Sequence, residues 1–134
     1  MKMKDMLTET RLRQLEKAVT EITSQALNSK FHNGEIFKLI EVSEPAQFEQ
    51  GHIDSAQNVT LGYLQPYAEK KFKKYQQIVL YTSAATSNAS IASARKLAHA
   101  GFSNVQALKG GKEGWEKANL PLKGERPPEG NDND

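Results

Sequence analysis

The sequence contains no cysteine among its 134 residues. That absence excludes a disulfide framework, thiolate-ligated zinc or iron–sulfur centres and every mechanism that needs a thiol nucleophile. Histidine is scarce as well, and His32, His52 and His99 are too scattered to show metal-ligand spacing. We therefore expect neither a metal ion nor a cofactor.

Long apolar runs and an excess of one charge are also missing. No stretch approaches the roughly 20 apolar residues that span a bilayer, and no apolar block follows the basic N-terminus, so we expect a cytoplasmic protein without a membrane partner. The 18 basic and 16 acidic residues leave a net charge of +2, which does not favour a nucleic-acid partner. We interpret the one lysine-rich run, Lys70–Tyr75, as a solvated face.

The pattern of apolar residues predicts one domain with short appendages. Spacings of three and four from Leu12 to Ala26 predict an amphipathic helix over Thr8–Leu27. Its apolar stripe needs a cover, either this chain's own sheet or a second copy, so a homodimer through this helix is one alternative. We divide the chain into a helical extension (1–33), a domain (34–122) and a disordered acidic tail (123–134).

Strands and helices alternate through the predicted domain. The sequence predicts strands at 36–42, 57–61, 77–82 and 105–108, a short helix after Pro45, a helix at 88–100 and another that carries Trp115. This order is typical of an α/β fold with three layers, in which helices flank a central parallel sheet. Ligands of such sheets bind beyond the carboxyl ends of the strands, so we expect any site in the loop after Thr82.

Three separated segments resemble the rhodanese-like domain family. Residues 39–59 are similar to its early motif, with an acidic strand end, Glu-Pro, an aromatic residue and Gly-His-Ile. Residues 78–101 take the place of its central strand, active-site loop and helix, and the closing motif is matched by Gly110, Gly111, Trp115, Leu120 and Pro121. The resemblance implies the α/β fold. It also implies transfer of sulfane sulfur on a cysteine that directly follows the central strand, or phosphatase chemistry on the same cradle.

The sequence departs from the family at that cysteine. Counting forward from the central strand places the position at Thr82, and counting back from Gly101 places it nearer Ala84. Neither residue is a thiol, and residues 82–94 contain no lysine or arginine to stabilise a thiolate or an oxyanion. We therefore expect no catalytic residue in a degenerate loop formed by Thr82, Ser83, Ala84, Ala85, Thr86 and Ser87.

Three functions are consistent with this loop. An alcohol is neither polarizable nor readily ionised, so we favour a binding or regulatory module without sulfurtransferase activity, whose protein partner is unknown. The alternative is a thiosulfate or persulfide sulfurtransferase whose cysteine has been replaced in this chain, at Ser83, Ala84 or Ser87. A hydrolase that uses Thr82 or Ser83 with His52 as the base ranks last.

For the other residues of these motifs we predict anion-binding, helix-capping or structural roles rather than catalytic ones. The loop amides converge at a helix N-terminus, which predicts a weak anion site at Ser83, Thr86, Ser87 and Asn88. We favour helix capping over nucleophilic catalysis for these hydroxyls. We predict structural roles, such as holding loops in place, for Glu41, His52, Asp54, Gly110, Gly111 and Trp115.

Overall fold

The computed structural model of the chain describes residues 19–83 and 87–124. One sheet has the strand order β1-β5-β4-β2-β3, and all its ladders are parallel. Its strands are β1 (Val19–Ile22), β2 (Lys38–Val42), β3 (Gln57–Val59), β4 (Ile78–Tyr81) and β5 (Val105–Leu108). The helices are α1 (Ser24–His32), α2 (Pro45–Glu49), α3 (Leu64–Lys71), α4 (Ser87–His99) and α5 (Gly111–Lys117), with a 3-10 turn at Leu61–Tyr63. The predicted α/β fold with a central parallel sheet is confirmed.

Strand β4 lies at the centre of the sheet and contributes to two cores. Ile78 and Leu80 point to one face, where they pack with residues of α3 and α4. Val79 and Tyr81 point to the other face, where they pack with Leu27 of α1 and Trp115 of α5. A strand covered on both faces needs a continuous apolar run, which is why this segment is the most readable strand in the sequence.

The predicted N-terminal helix is wrong over Val19–Ile22, while its last residues, Ser24–Leu27, do lie in a helix, α1. Val19–Ile22 forms β1, an edge strand in register with Val105–Leu108 of β5. Helix α1 begins only after Thr23, whose hydroxyl accepts a hydrogen bond from Ala26 N at 3.0 Å. Five apolar residues at helical spacing from Leu12 to Ala26 outweighed the Val-Thr-Glu-Ile run in the prediction, although three of its four residues are β-branched and suit an edge strand. Residues 8–18 of the predicted helix lie outside the described residues.

Both ends of the described chain are tied to the domain. Ile22 is buried in the same core as Trp115, so β1 and α1 complete the sheet and its cover. Lys123, the first residue of the predicted disordered tail, instead forms an antiparallel bridge with His52, with backbone hydrogen bonds of 2.6 and 2.7 Å. Residues 125–134 of that tail lie outside the described residues. No helix within the described ranges is long and apolar enough to cross a membrane.

Candidate functional site

The loop after β4 begins with a threonine that is held within the protein. Thr82 is buried, and its Oγ1 lies 3.2 Å from Ser90 Oγ on α4. Its carbonyl accepts a hydrogen bond from Lys112 N at 2.8 Å. The residue in the position directly after the central strand is therefore fixed from two sides, by α4 and by α5.

Ser83 lines both of the cavities described below. Its Oγ is buried and has no hydrogen-bond partner among the described residues. Ala84, Ala85 and Thr86 lie outside the described residues, as does the side chain of Ser87, while Asn88 is exposed at the start of α4. The weak anion site proposed for these hydroxyls therefore stays a prediction.

A buried ion pair lies beneath the loop. Glu41, near the end of β2, is fully buried; its Oε2 accepts a hydrogen bond from Ser43 Oγ at 2.7 Å and lies 2.9 Å from Lys112 Nζ in an ion pair. Lys112 Nζ also donates to the carbonyls of Gln47 at 2.8 Å and Gly51 at 2.6 Å. The Lys112 ammonium is therefore held by one ion pair and two hydrogen bonds.

This ion pair joins β2, α2 and α5 and leaves little net charge under the loop. Glu41, for which the sequence predicts a structural role, has Lys112 as its charged partner. Sequence reasoning searched for a cation only in residues 82–94 and missed Lys112. A lysine in the first turn of a short helix normally suggests a solvated side chain, and the sequence gives no signal of its burial.

A pair of glycines places Lys112. Gly110 has φ +84°, and a Cβ there would lie 3.3 Å from Gly114 Cα. Gly111 is also left-handed, with φ +60°. Glycine adopts this conformation without the strain of other residues, so the chain can turn sharply from β5 into α5. Further along α5, Trp115 is buried, and its Nε1 donates to Pro121 O at 2.8 Å.

His52 and Asp54 make no hydrogen bond to Thr82 or Ser83, the loop hydroxyls that the structure describes. The His52 ring stacks on Phe48 with centroids 3.8 Å apart, and its Nδ1 lies 3.1 Å from Phe48 O. It lines neither of the two cavities described below, and Asp54 is exposed. This geometry fits a histidine that holds a turn in place, and it gives no support to His52 as a general base.

Tyr81 closes the β4 end of the core. Its hydroxyl accepts a hydrogen bond from Ile53 N at 3.0 Å. Burial, and after it the negative charge of Glu41, raises the pKa of Tyr81 above its ordinary value. The hydroxyl therefore stays neutral near physiological pH and acts as a structural group.

Two cavities meet at Ser83. The larger, which we call the groove, has a volume of about 520 Å³ and is lined by Val42, Ser43, Glu44, Gln47, Leu61, Thr82, Ser83, Ala89, Ala92, Ser93 and Lys96. The smaller has a volume of about 330 Å³, and Gln47, Gln50, Gly51, Lys112, Glu113 and Glu116 line it with Ser83. Within the described ranges, no group of three His, Asp or Glu residues could hold a metal ion.

Comparisons with known proteins place this site in a family context. The model of the rhodanese-like domain matches residues 23–118. A crystal structure of a protein from Anabaena sp. is similar, with 26% identity, a TM-score of 0.72, and coverage of 77% of this chain and 91% of that one.

Two more distant structures share the fold. A Rhodopseudomonas palustris protein of unknown function, named as a possible tyrosine phosphatase, has 20% identity and a TM-score of 0.70, covering 86% of this chain and 92% of that one. A thiosulfate sulfurtransferase from Pseudomonas aeruginosa has 18% identity and a TM-score of 0.69, covering 85% of this chain and 22% of that one.

Proposed function

Because the chain belongs to the rhodanese-like domain family, we propose that it is a binding or regulatory module that lacks sulfurtransferase activity. The observation that carries this proposal is the absence of cysteine from the whole sequence. Sulfur transfer needs a polarizable nucleophile that ionises readily, and a serine or threonine hydroxyl at neutral pH does not meet that need without a base.

The surroundings of the loop support the same proposal. The Thr82 hydroxyl is within hydrogen-bonding distance of Ser90 Oγ. Lys112 lines one cavity with Ser83, but its buried ammonium is engaged by the ion pair with Glu41 and by hydrogen bonds to two carbonyls. An oxyanion at Ser83 would therefore compete with Glu41 and these carbonyls for a charge-assisted hydrogen bond from Lys112.

One observation favours the alternative, a sulfurtransferase whose cysteine has been replaced. Ser83 Oγ is buried, unpaired among the described residues and lines both cavities, so the side chain has no visible structural task there. Serine is close in shape to cysteine, and a thiol at Ser83 would lie beside both cavities.

A sulfur-transfer assay separates the two functions. We expect the chain to convert thiosulfate and cyanide no faster than a heat-treated control. The Ser83→Cys variant tests the alternative, with Ser103→Cys as the matched control, because Ser103 is an exposed residue whose hydroxyl bonds Lys74 O. Turnover by Ser83→Cys alone would favour the replaced cysteine, and turnover by the unsubstituted chain would overturn the proposed function.

A further inference from the structure

Helix α4 lines the groove beside Ser83 mainly with small side chains. Its α4 wall presents side chains at i, i+3, i+4 and i+7, which is one face of a helix: Ala89, Ala92, Ser93 and Lys96. From Ala89 to Lys96 this face runs for about 10 Å along the helix axis. The two alanines are exposed, so this wall has small apolar side chains that are open to water.

Two apolar side chains from other elements also line the groove, Val42 at the end of β2 and Leu61 in the 3-10 turn. Leu61 remains 51% exposed, which is unusual for a large aliphatic side chain beside a concave surface. The groove's volume of about 520 Å³ lies within the range of small-molecule sites, roughly 300–1,000 Å³.

The charges around the groove limit what it can bind. Lys112 is committed to Glu41 beneath the loop, and Glu44 forms a capping box with Gln47 at the start of α2. Among the described residues that line the groove, Lys96 is the only cation, and it is exposed at the end of the apolar wall. The groove thus offers a largely apolar surface with one lysine, Lys96, and one exposed carboxylate, Glu44 at the start of α2, rather than a cluster of donors for a small inorganic anion.

We infer that the groove binds an amphipathic monoanion, a molecule with an elongated apolar body and one carboxylate or similar group. The body lies between Leu61 and the alanines of α4, and the anionic group lies at Lys96. This inference rests on the proposed function, because it assigns to a non-catalytic domain the class of ligand that it recognises. Its binding test and the sulfur-transfer assay have independent readouts, so either can fail alone.

Octanoate, 1-octanol and thiosulfate are the probes for this inference, and amide NMR titration of the full chain is the measurement. We expect saturable shifts with octanoate at Val42, Leu61 and Ala92, and weaker binding of 1-octanol. Thiosulfate should not displace octanoate. The absence of saturable binding, equal affinity for octanoate and octanol, shifts confined to other residues, or displacement by thiosulfate would each overturn the inference.

Two exposed positions supply the variants, so loss of the fold is not a concern. Lys96→Ala should weaken octanoate about two- to fivefold and leave octanol unchanged, since an exposed charge contributes modestly. Leu61→Asp should weaken both probes by about fivefold or more, because it removes apolar contact and adds a like charge. Lys71→Ala, on the exposed surface of α3, is the control and should change neither. An equal effect of Lys96→Ala and Lys71→Ala would contradict the role of Lys96.

Discussion

Replacing Lys112 with methionine removes the ammonium that balances Glu41 and keeps a side chain of similar length. In the native chain Lys112 Nζ lies 2.9 Å from Glu41 Oε2, and the two side chains are 9% and 0% exposed. The variant leaves a buried carboxylate that still accepts a hydrogen bond from Ser43 Oγ but has no cation beside it, and it removes the donor to the carbonyls of Gln47 and Gly51. The destabilisation should therefore be large for a single substitution.

Breaking a buried ion pair on one side costs about 3–5 kcal/mol. For a chain of 134 residues that cost corresponds to a fall in Tm of about 10–15 °C. The double variant Glu41→Leu, Lys112→Met removes both charges and should recover about half of the loss or more, because an apolar pair does not bury an uncompensated charge. Recovery should be incomplete, since the two carbonyls still lack their donor.

Urea unfolding followed by Trp115 fluorescence measures these losses, because Trp115 is the only tryptophan and is buried. Lys117→Met, in the same helix, is the matched control. Lys117 Nζ lies 3.9 Å from Glu113 Oε2 in an exposed pair, so its loss should cost less than about 1 kcal/mol. If Lys112→Met costs no more than Lys117→Met, or if the double variant is as unstable as the single one, the argument from a buried charge pair is refuted.

Two further substitutions test the parts that surround the site. Gly110→Ala should destabilise the chain by about 1–2 kcal/mol, because φ is +84° and Gly114 Cα is 3.3 Å from the new Cβ, whereas Gly62→Ala, with open space around it, should cost little. Urea midpoints would show this difference, and equal midpoints would contradict it. The raised pKa of Tyr81 means that the folded state keeps a proton that the unfolded chain releases, so stability should fall as the pH rises above about 10. Tyr81→Phe should cost about 1–3 kcal/mol at about pH 8, by leaving Ile53 N unpaired, and should reduce the alkaline fall. Midpoints at about pH 8 and pH 10.5 would check both effects, and an unchanged alkaline slope in the variant would contradict the second.

The central strands and the helix after the loop could be predicted because the sequence of each element shows how it is buried or where it ends. The β4 run is apolar throughout since both faces of the strand are covered, and β5 was predicted with the bounds Val105–Leu108 that the structure has. The helix after the loop was predicted within one residue at each end, because Gly101 follows it. The signals for these elements lie within or next to the elements themselves, so they can be recognised without knowing how the chain packs.

The edge of the sheet could not be predicted in the same way. In β1 only Ile22 is buried, so the strand lacks the alternation that identifies a half-buried strand. Its pairing with β5 depends on residues more than 80 positions away, and local spacing cannot report it. Val19 and Ile22 are three residues apart, which fits a helix, but an exposed edge strand can carry apolar residues at the same spacing.

The sequence predicts where a candidate site lies but not which charges surround it. The resemblance and the strand order both point to the loop after β4, where Thr82 and Ser83 lie. The ion pair of Lys112 with Glu41, and the groove along α4, depend on how α2, α4 and α5 meet around that loop. No local sequence pattern indicates how these three helices pack around the loop. The predicted site therefore did not include Lys112, Lys96 or Leu61.

Intact-mass spectrometry of the chain after incubation with thiosulfate tests the central claim most directly. A protein without a thiol has no atom that can hold a transferred sulfur as a persulfide, so the account predicts an unchanged mass. The Ser83→Cys variant, treated alongside, shows whether the method detects a persulfide in this loop. A gain of one sulfur atom by the unsubstituted chain, removed again by cyanide, would contradict the account.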